Sequence, residues 1–219
     1  FDGLGHTVDS LFVDRPTSDN VGLFGYNDSI IKNVGITNVS IAGRDHVGGL
    51  VGRANNSDIT NSYAAGNVSG YNYVGGLVGI ADGSDITNSY ATGNVTGTSN
   101  VGGLVGYTTN NSDITNSYAT GDVDGAGDRV GGLVGYALDS DTTNSYATGD
   151  VSGSYHVGGL VGLTNNSDIT NSYATGDATG NVTGDERVGG LVGWAKNSDI
   201  TNSYATGDVD GYENVGGLV

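Results

Sequence analysis

VGGLVGIADGSDITNSYATGNVTGTSN, Val74 to Asn100, decides the fold, because the chain is built from copies of it. The hexapeptide VGGLVG starts at Val47, Val74, Val101, Val130, Val157 and Val188 and begins again at Val215. The steps between these starts are 27, 27, 29, 27, 31 and 27 residues. A divergent earlier copy reads NVGLFG from Asn20 to Gly25. A second block, SDITNSYA, begins at Ser57, Ser84, Ser112, Ser167 and Ser198, and reads SDTTNSYA at Ser140. A third reads GNVSG at Gly66, GNVTG at Gly93, GDVDG at Gly121 and Gly207, and GDVSG at Gly149. The longer units carry their extra residues in one place, GAGDR at Gly125–Arg129 and ATGNVTGDER at Ala178–Arg187. A fixed period with insertions confined to one side is the signature of a stacked array.

Each unit holds three short segments bounded by Gly, Asn, Asp and Ser, none long enough for an ordinary helix. β-branched residues and Tyr dominate, which are strand signals. One such unit cannot bury its own apolar face, but stacking one unit per turn can. The expected fold is therefore all-β, a β-solenoid (parallel β-helix) with about 27 residues and three short strands per coil. Coils about 4.8 Å apart give a rod of roughly 35–40 Å. A right-handed coil follows from the chirality of parallel crossovers. Residues 1–19 read as a lead-in or first coil. Residues 20–219 read as one continuous array with coils starting near 20, 47, 74, 101, 130, 157, 188 and 215, a fragment of a longer chain.

In such a stack, equivalent positions lie on top of one another. Val47, Ile59 and Val68 and their equivalents are expected inside. Of Leu50 and Val51, one is expected inside, with Leu50 favoured, because adjacent strand residues face opposite sides. Thr142 stands where other units have Ile, which marks a locally weaker coil. Asn61, Asn88, Asn116, Asn144, Asn171 and Asn202 form an Asn ladder, a known device in stacked parallel strands. Tyr63, Tyr90, Tyr118, Tyr146, Tyr173 and Tyr204 form a Tyr ladder, either structural or an aromatic strip that stacks on sugar rings. Thr92, Thr120, Thr148, Thr175 and Thr206 form a Thr ladder, broken by Ala65 in the first unit, of the kind that can bind ice when flat.

These blocks resemble the GLUG repeat, through GLVG at Gly49, Gly76, Gly103, Gly132, Gly159 and Gly190 and GLFG at Gly22. The stretch FDGLGHTVDSLFVD, Phe1–Asp14, is similar to the lead-in of such arrays. The resemblance implies large secreted or surface-attached, adhesin-like proteins of bacteria and archaea, some of them joined to zinc peptidases. The zinc motif H-E-x-x-H is absent here, and His6, His46 and His156 are isolated.

The net charge is −17, and 22 of the 24 acidic residues are Asp. Such a surface repels nucleic acid, whose phosphates need clustered Lys and Arg. No stretch is apolar and long enough to insert in a membrane. The balance suits a saline or cation-rich medium. One acidic file runs through Asp58, Asp85, Asp113, Asp141, Asp168 and Asp199; a second runs through Asp122, Asp150, Asp177 and Asp208, with Asn67 and Asn94 ahead of it. At coil spacing each neighbouring pair repels by roughly 0.9 kcal/mol in bulk water. Molar salt, with a screening length of about 3 Å, cancels most of that. Asp122 with Asp124, and Asp208 with Asp210, are D-x-D pairs of the hard oxygen ligands that suit Ca²⁺. The competing reading is that these side chains cap turns by accepting backbone N–H groups. N-x-S/T sequons for N-glycosylation occur at Asn27, Asn38, Asn55, Asn67, Asn94, Asn110, Asn165 and Asn181.

Paired carboxylates occur here as a lattice and not as a unique constellation, so no catalytic residues are expected. The expected role is an extracellular structural or adhesive segment: a stalk, surface filament or fibre. Its partners would be cell-surface or matrix components, glycans among them, or further copies joined end to end or laterally. The alternatives are a carbohydrate-binding module using the Tyr strip and an accessory region of a larger secreted enzyme. The repeat-breaking segments Ala126–Arg129 and Thr179–Arg187 are the candidates for partner contact, since functional sites break a repeat.

Overall fold

A computed structural model describes residues 1–180 and 186–219. Every strand pair among them is parallel, and the strands form a β-solenoid of about 8 turns with about 27 residues per turn. The coil of the opening quotation shows the path. It runs through strands Asn72–Gly75, Val78–Asp82, Ile86–Thr87, Tyr90–Ala91 and Val95–Gly97. The three expected segments thus resolve into five strands, because two of the blocks bend in the middle. VGGLVG bends at Gly76–Leu77, and SDITNSYA bends at Asn88–Ser89.

The strands of successive coils build four sheets, three of seven strands and one of 14. The large sheet contains both the Tyr-Ala strands and the Val-x-Gly strands, because Tyr63–Ser69 runs through both positions without a break. The lead-in is part of the stack: Thr7–Asp9 and Phe12–Asp14 lie in register on Gly35–Thr37 and Ser40–Ala42.

Register is set by identity. Val47, Val74 and Val101 are stacked partners, as are Ile59, Ile86 and Ile114, and Val68, Val95 and Val123. Val47, Ile59 and Val68 are buried, as their spacing predicts. Leu50 and Val51 are both fully buried, against the expectation that only one is. The reason is the bend. Leu77 N–H and Val78 N–H both donate to the Leu104 carbonyl, at 2.9 and 3.0 Å, so the chain turns between them and alternation fails. The Asn ladder occupies the other bend. Asn61, Asn88 and Asn116 have φ of 50°, 51° and 51°, the left-handed region that Asn tolerates better than other residues with a Cβ. The side-chain amide of Asn171 donates to Asn144 Oδ1 at 3.2 Å, so the ladder links coils as well as turning them.

Candidate functional site

The two acidic files are built into the stack. In the first, Oδ1 of Asp58, Asp85, Asp113, Asp141 and Asp168 accepts the backbone N–H of the next Asp, at 2.7–3.1 Å. In the second, Oδ1 of Asp122, Asp150 and Asp177 does the same, at 2.8–3.2 Å. Each engaged carboxylate is a charge-assisted acceptor with one oxygen left over. Asp124 Oδ1 accepts the Ser152 hydroxyl at 2.9 Å, and Asp210 lies in register with Thr179. The D-x-D carboxylates Asp122, Asp124, Asp208 and Asp210 therefore sit on two adjacent outer files. Among the described residues no group of three or more His, Asp or Glu is placed to hold a metal ion.

Asp113 bears the strain of this arrangement. Burial pushes its carboxyl above the usual aspartate range, and the charges of Asp141 and Asp85 add to that despite the Asp141 N–H. A raised folded-state value means this site favours folding when protonated. That contribution is lost as pH rises through the raised range, so ionised Asp113 opposes folding at neutral pH.

The tyrosines stack on one another. Consecutive rings from Tyr63 to Tyr204 have centroids 4.8–5.1 Å apart and planes within 2–4° of parallel. The first ring is closed below, where Tyr63 rests on Gly35 and its hydroxyl meets Thr7 Oγ1 at 3.1 Å. A sugar ring stacks on an aromatic face; from Tyr90 to Tyr173 both faces of each ring are covered by neighbouring Tyr rings, whereas Tyr204, half exposed, has a Tyr neighbour on one face only. Along Tyr63, Tyr90, Tyr118, Tyr146 and Tyr173 the file thus presents ring edges and hydroxyls, and of the six tyrosines expected to stack on glycans only Tyr204 keeps a ring face clear of its neighbours.

Two buried serine files escaped sequence reasoning. Ser57, Ser84, Ser112, Ser140 and Ser167 form one, and Ser62, Ser89, Ser117, Ser145 and Ser172 the other, all at most 3% exposed. In each file the hydroxyl accepts the N–H of the preceding coil's Ser, as in Ser57 to Ser84 at 2.8 Å and Ser89 to Ser117 at 3.1 Å. Apart from Ser57, which donates to the Ser29 carbonyl of the preceding coil, it donates to a carbonyl of its own coil, as Ser117 does to Thr115 at 2.9 Å. These hydroxyls satisfy backbone groups where the ladders turn corners. The available signal was a Ser at the same two positions of every unit, which reads equally well as turn chemistry.

One face breaks the repeat. A file through Tyr107, Tyr136, the buried Leu163 and Trp194 runs beside a second through Arg129, His156 and Arg187. Described residues of both insertions converge on it. GAGDR delivers Asp128 and Arg129, and Arg187 ends the longer insertion, of which residues 181–185 lie outside the described ones. Arg187 Nη1 is 2.9 Å from His156 Nε2. A guanidinium only donates, so Nε2 is the acceptor and Nδ1 carries the proton that faces Asp128 Oδ1. Burial would raise the Asp128 carboxyl, but the hydrogen bond from His156 and the charge of Arg129 outweigh it, holding the group below its usual range. His156 stacks on Trp194 at 5.2 Å, and the Arg187 guanidinium lies 4.6 Å over the same ring. Arg129 lies 5.0 Å over Tyr136, and its buried Nε has no hydrogen-bond partner among the described residues. The described ends of the two segments expected to break the repeat, Asp128–Arg129 and Arg187, are thus brought to a single patch.

A family model described as the GLUG motif matches residues 43–69, 70–96, 97–124, 126–152, 153–183 and 184–210. The chain belongs to the GLUG-motif family. The GLUG array is similar to Halomucin of Haloquadratum walsbyi, with 44% identity over 70 residues, which is 31% of this chain. The match spans 1% of the length of that protein. The array also resembles a proposed immunoglobulin A1 protease from Bacteroides ovatus, with TM-score 0.65 and 21% identity over 91% of this chain and 68% of that one. A second solved structure, an IgA1 protease, gives TM-score 0.52 and 24% identity over 86% of this chain and 16% of that one. At these identities the likeness is one of fold.

Proposed function

We propose that the GLUG array is a rigid, non-catalytic segment of a protein exposed outside the cell in saline surroundings. The observation that carries this is where the repeated chemistry goes. Asp, Asn, Ser and Tyr at the invariant positions are spent on bonds and stacking between coils, which is what a stiff spacer needs. The acidic surface and the likeness to Halomucin, a protein of a halophile by its name and organism, support the saline, surface setting. The test is thermal unfolding by circular dichroism from 0.1 to 3 M NaCl, on the native chain and on Asp113→Asn. The native chain should gain about 10 °C across the series, since screening removes like-charge repulsion. Asp113→Asn keeps the oxygen acceptor and removes the charge. It should be more stable by about 1 kcal/mol at 0.1 M, and the gain should shrink at 3 M to the part due to burial, which salt does not screen. A melting temperature independent of NaCl would sink the saline reading.

An adhesive contribution belongs to the repeat-breaking face, where guanidinium groups gather on an otherwise acidic rod. Its chemistry suits the carboxylates of an acidic polysaccharide and does not depend on ring stacking. Polygalacturonate binding, measured by titration calorimetry at 0.15 M NaCl, should weaken at least tenfold in an Arg129→Ala/Arg187→Ala double variant. Equal binding by the two proteins would remove this face from consideration. The likeness in fold to IgA1 proteases supports, as a second setting, an accessory segment attached to a secreted enzyme.

A further inference from the structure

The sequons differ in what surrounds them. Asn181 lies outside the described residues. At Asn55, Asn110 and Asn165 the hydroxyl of the sequon is Ser57, Ser112 or Ser167, buried at 0–1% exposure in the inner serine file. At Asn27 and Asn38 the amide nitrogen is already donating, to the Ser29 carbonyl and Ser57 Oγ in one case and to Asp9 Oδ1 at 2.7 Å in the other.

Asn67 and Asn94 combine the three properties that transfer requires. Both side chains are exposed. Their Oδ1 atoms accept the N–H of Asn94 and Asp122, at 3.2 and 3.1 Å, which fixes the amide plane and leaves Nδ2 without a partner among the described residues. Their hydroxyls, Ser69 and Thr96, are half-buried and exposed respectively. They occupy the places that later coils fill with Asp122, Asp150 and Asp177, so a substituent there meets the uncharged end of the file.

We propose that Asn94 and, more slowly, Asn67 are N-glycosylation acceptors of the folded chain. Nδ2 loses a proton and forms a bond to C1 of the sugar. The C1–O bond of a lipid-phosphate-linked oligosaccharide breaks, and the phosphate leaves with the electron pair. Oδ1 takes no part, so the inter-coil bond survives the modification. Asn94 is the faster acceptor because Ser69, unlike Thr96, is tied at 3.3 Å to the Ile41 carbonyl.

The inference shares with the proposed function the placement of the chain outside the cell, so its test is independent of location. The purified folded chain is incubated with a lipid-linked oligosaccharide and a single-subunit oligosaccharyltransferase that accepts N-x-S/T, and is then peptide-mapped by mass spectrometry. The heat-unfolded chain reports that the transferase can reach every sequon. In the folded chain, occupancy at Asn94 and Asn67 should exceed that at Asn55, Asn110 and Asn165 at least tenfold, and Thr96→Ala should remove the Asn94 product alone. In the unfolded chain that preference should vanish. Equal occupancy across the sequons of the folded chain, or no product at Asn67 and Asn94 while the unfolded chain is modified, overturns the proposal. Labelling of intact cells tests the surface placement separately.

Discussion

Gly103→Val should lower the melting temperature by about 10 °C, the largest effect of any single change considered. A Cβ on Gly103 would lie 2.1 Å from the Gly132 carbonyl oxygen and 2.8 Å from Ala119 Cβ. One obstruction is backbone of the next coil and the other is a core side chain, so no flexible group can give way. Relief requires prising one coil from the next in the middle of the stack. Overpacking of this kind costs about 3 kcal/mol or more. At this chain length each kcal/mol shifts the midpoint by roughly 2–4 °C. Because each coil touches only its neighbours, the defect should also split unfolding into two steps. Gly217→Ala is the control, since nothing lies within 4 Å of a Cβ there. A single sharp transition at the native temperature in Gly103→Val would refute the packing argument.

Ser117→Ala should cost about 2 kcal/mol, from one buried N–H left without a partner. Ser117 is 1% exposed, and its hydroxyl accepts the Ser89 N–H at 3.1 Å. The Thr115 carbonyl is less affected, because it also receives the Asn88 N–H at 3.1 Å. The loss is thus local to Ser89, and its amide should exchange with solvent faster than those of Ala91 and Ala119. Thr120→Ala, at an exposed position of the same coil, should leave stability within about 0.5 kcal/mol of native. If Ser117→Ala and Thr120→Ala melt alike with native exchange at Ser89, the serine file is decoration.

The coil was legible in the sequence because its cause is repetition. Identical positions spaced by one turn must stack, and that alone places Val47, Ile59 and Val68 inside. Rules of alternation hold only along straight strand, so they failed where VGGLVG bends and buries Leu50 with Val51. The same bends divide three sequence blocks into five strands. Spacing also says that tyrosines meet, but not whether ring faces or edges remain free; that depends on side-chain tilt. The Asp files read from the sequence as repulsive charge, with turn-capping of backbone N–H groups as the competing reading for the D-x-D pairs, and the structure shows each engaged Oδ1 accepting the N–H of the next coil. The patch around Arg129, His156, Arg187 and Trp194 lies at positions with no repeating identity. Sequence could point to its two insertions but not bring them together.

Self-recognition has a genetic consequence. In both acidic files and both serine files, a residue bonds to its own counterpart one coil away. Any coil is therefore a competent neighbour for any other. Recombination between homologous stretches of the gene, which removes or duplicates whole units, recreates the same junction each time. Reach can then drift from one lineage to the next without a new interface having to evolve, while changes to the Arg129–Trp194 patch accumulate on a separate schedule.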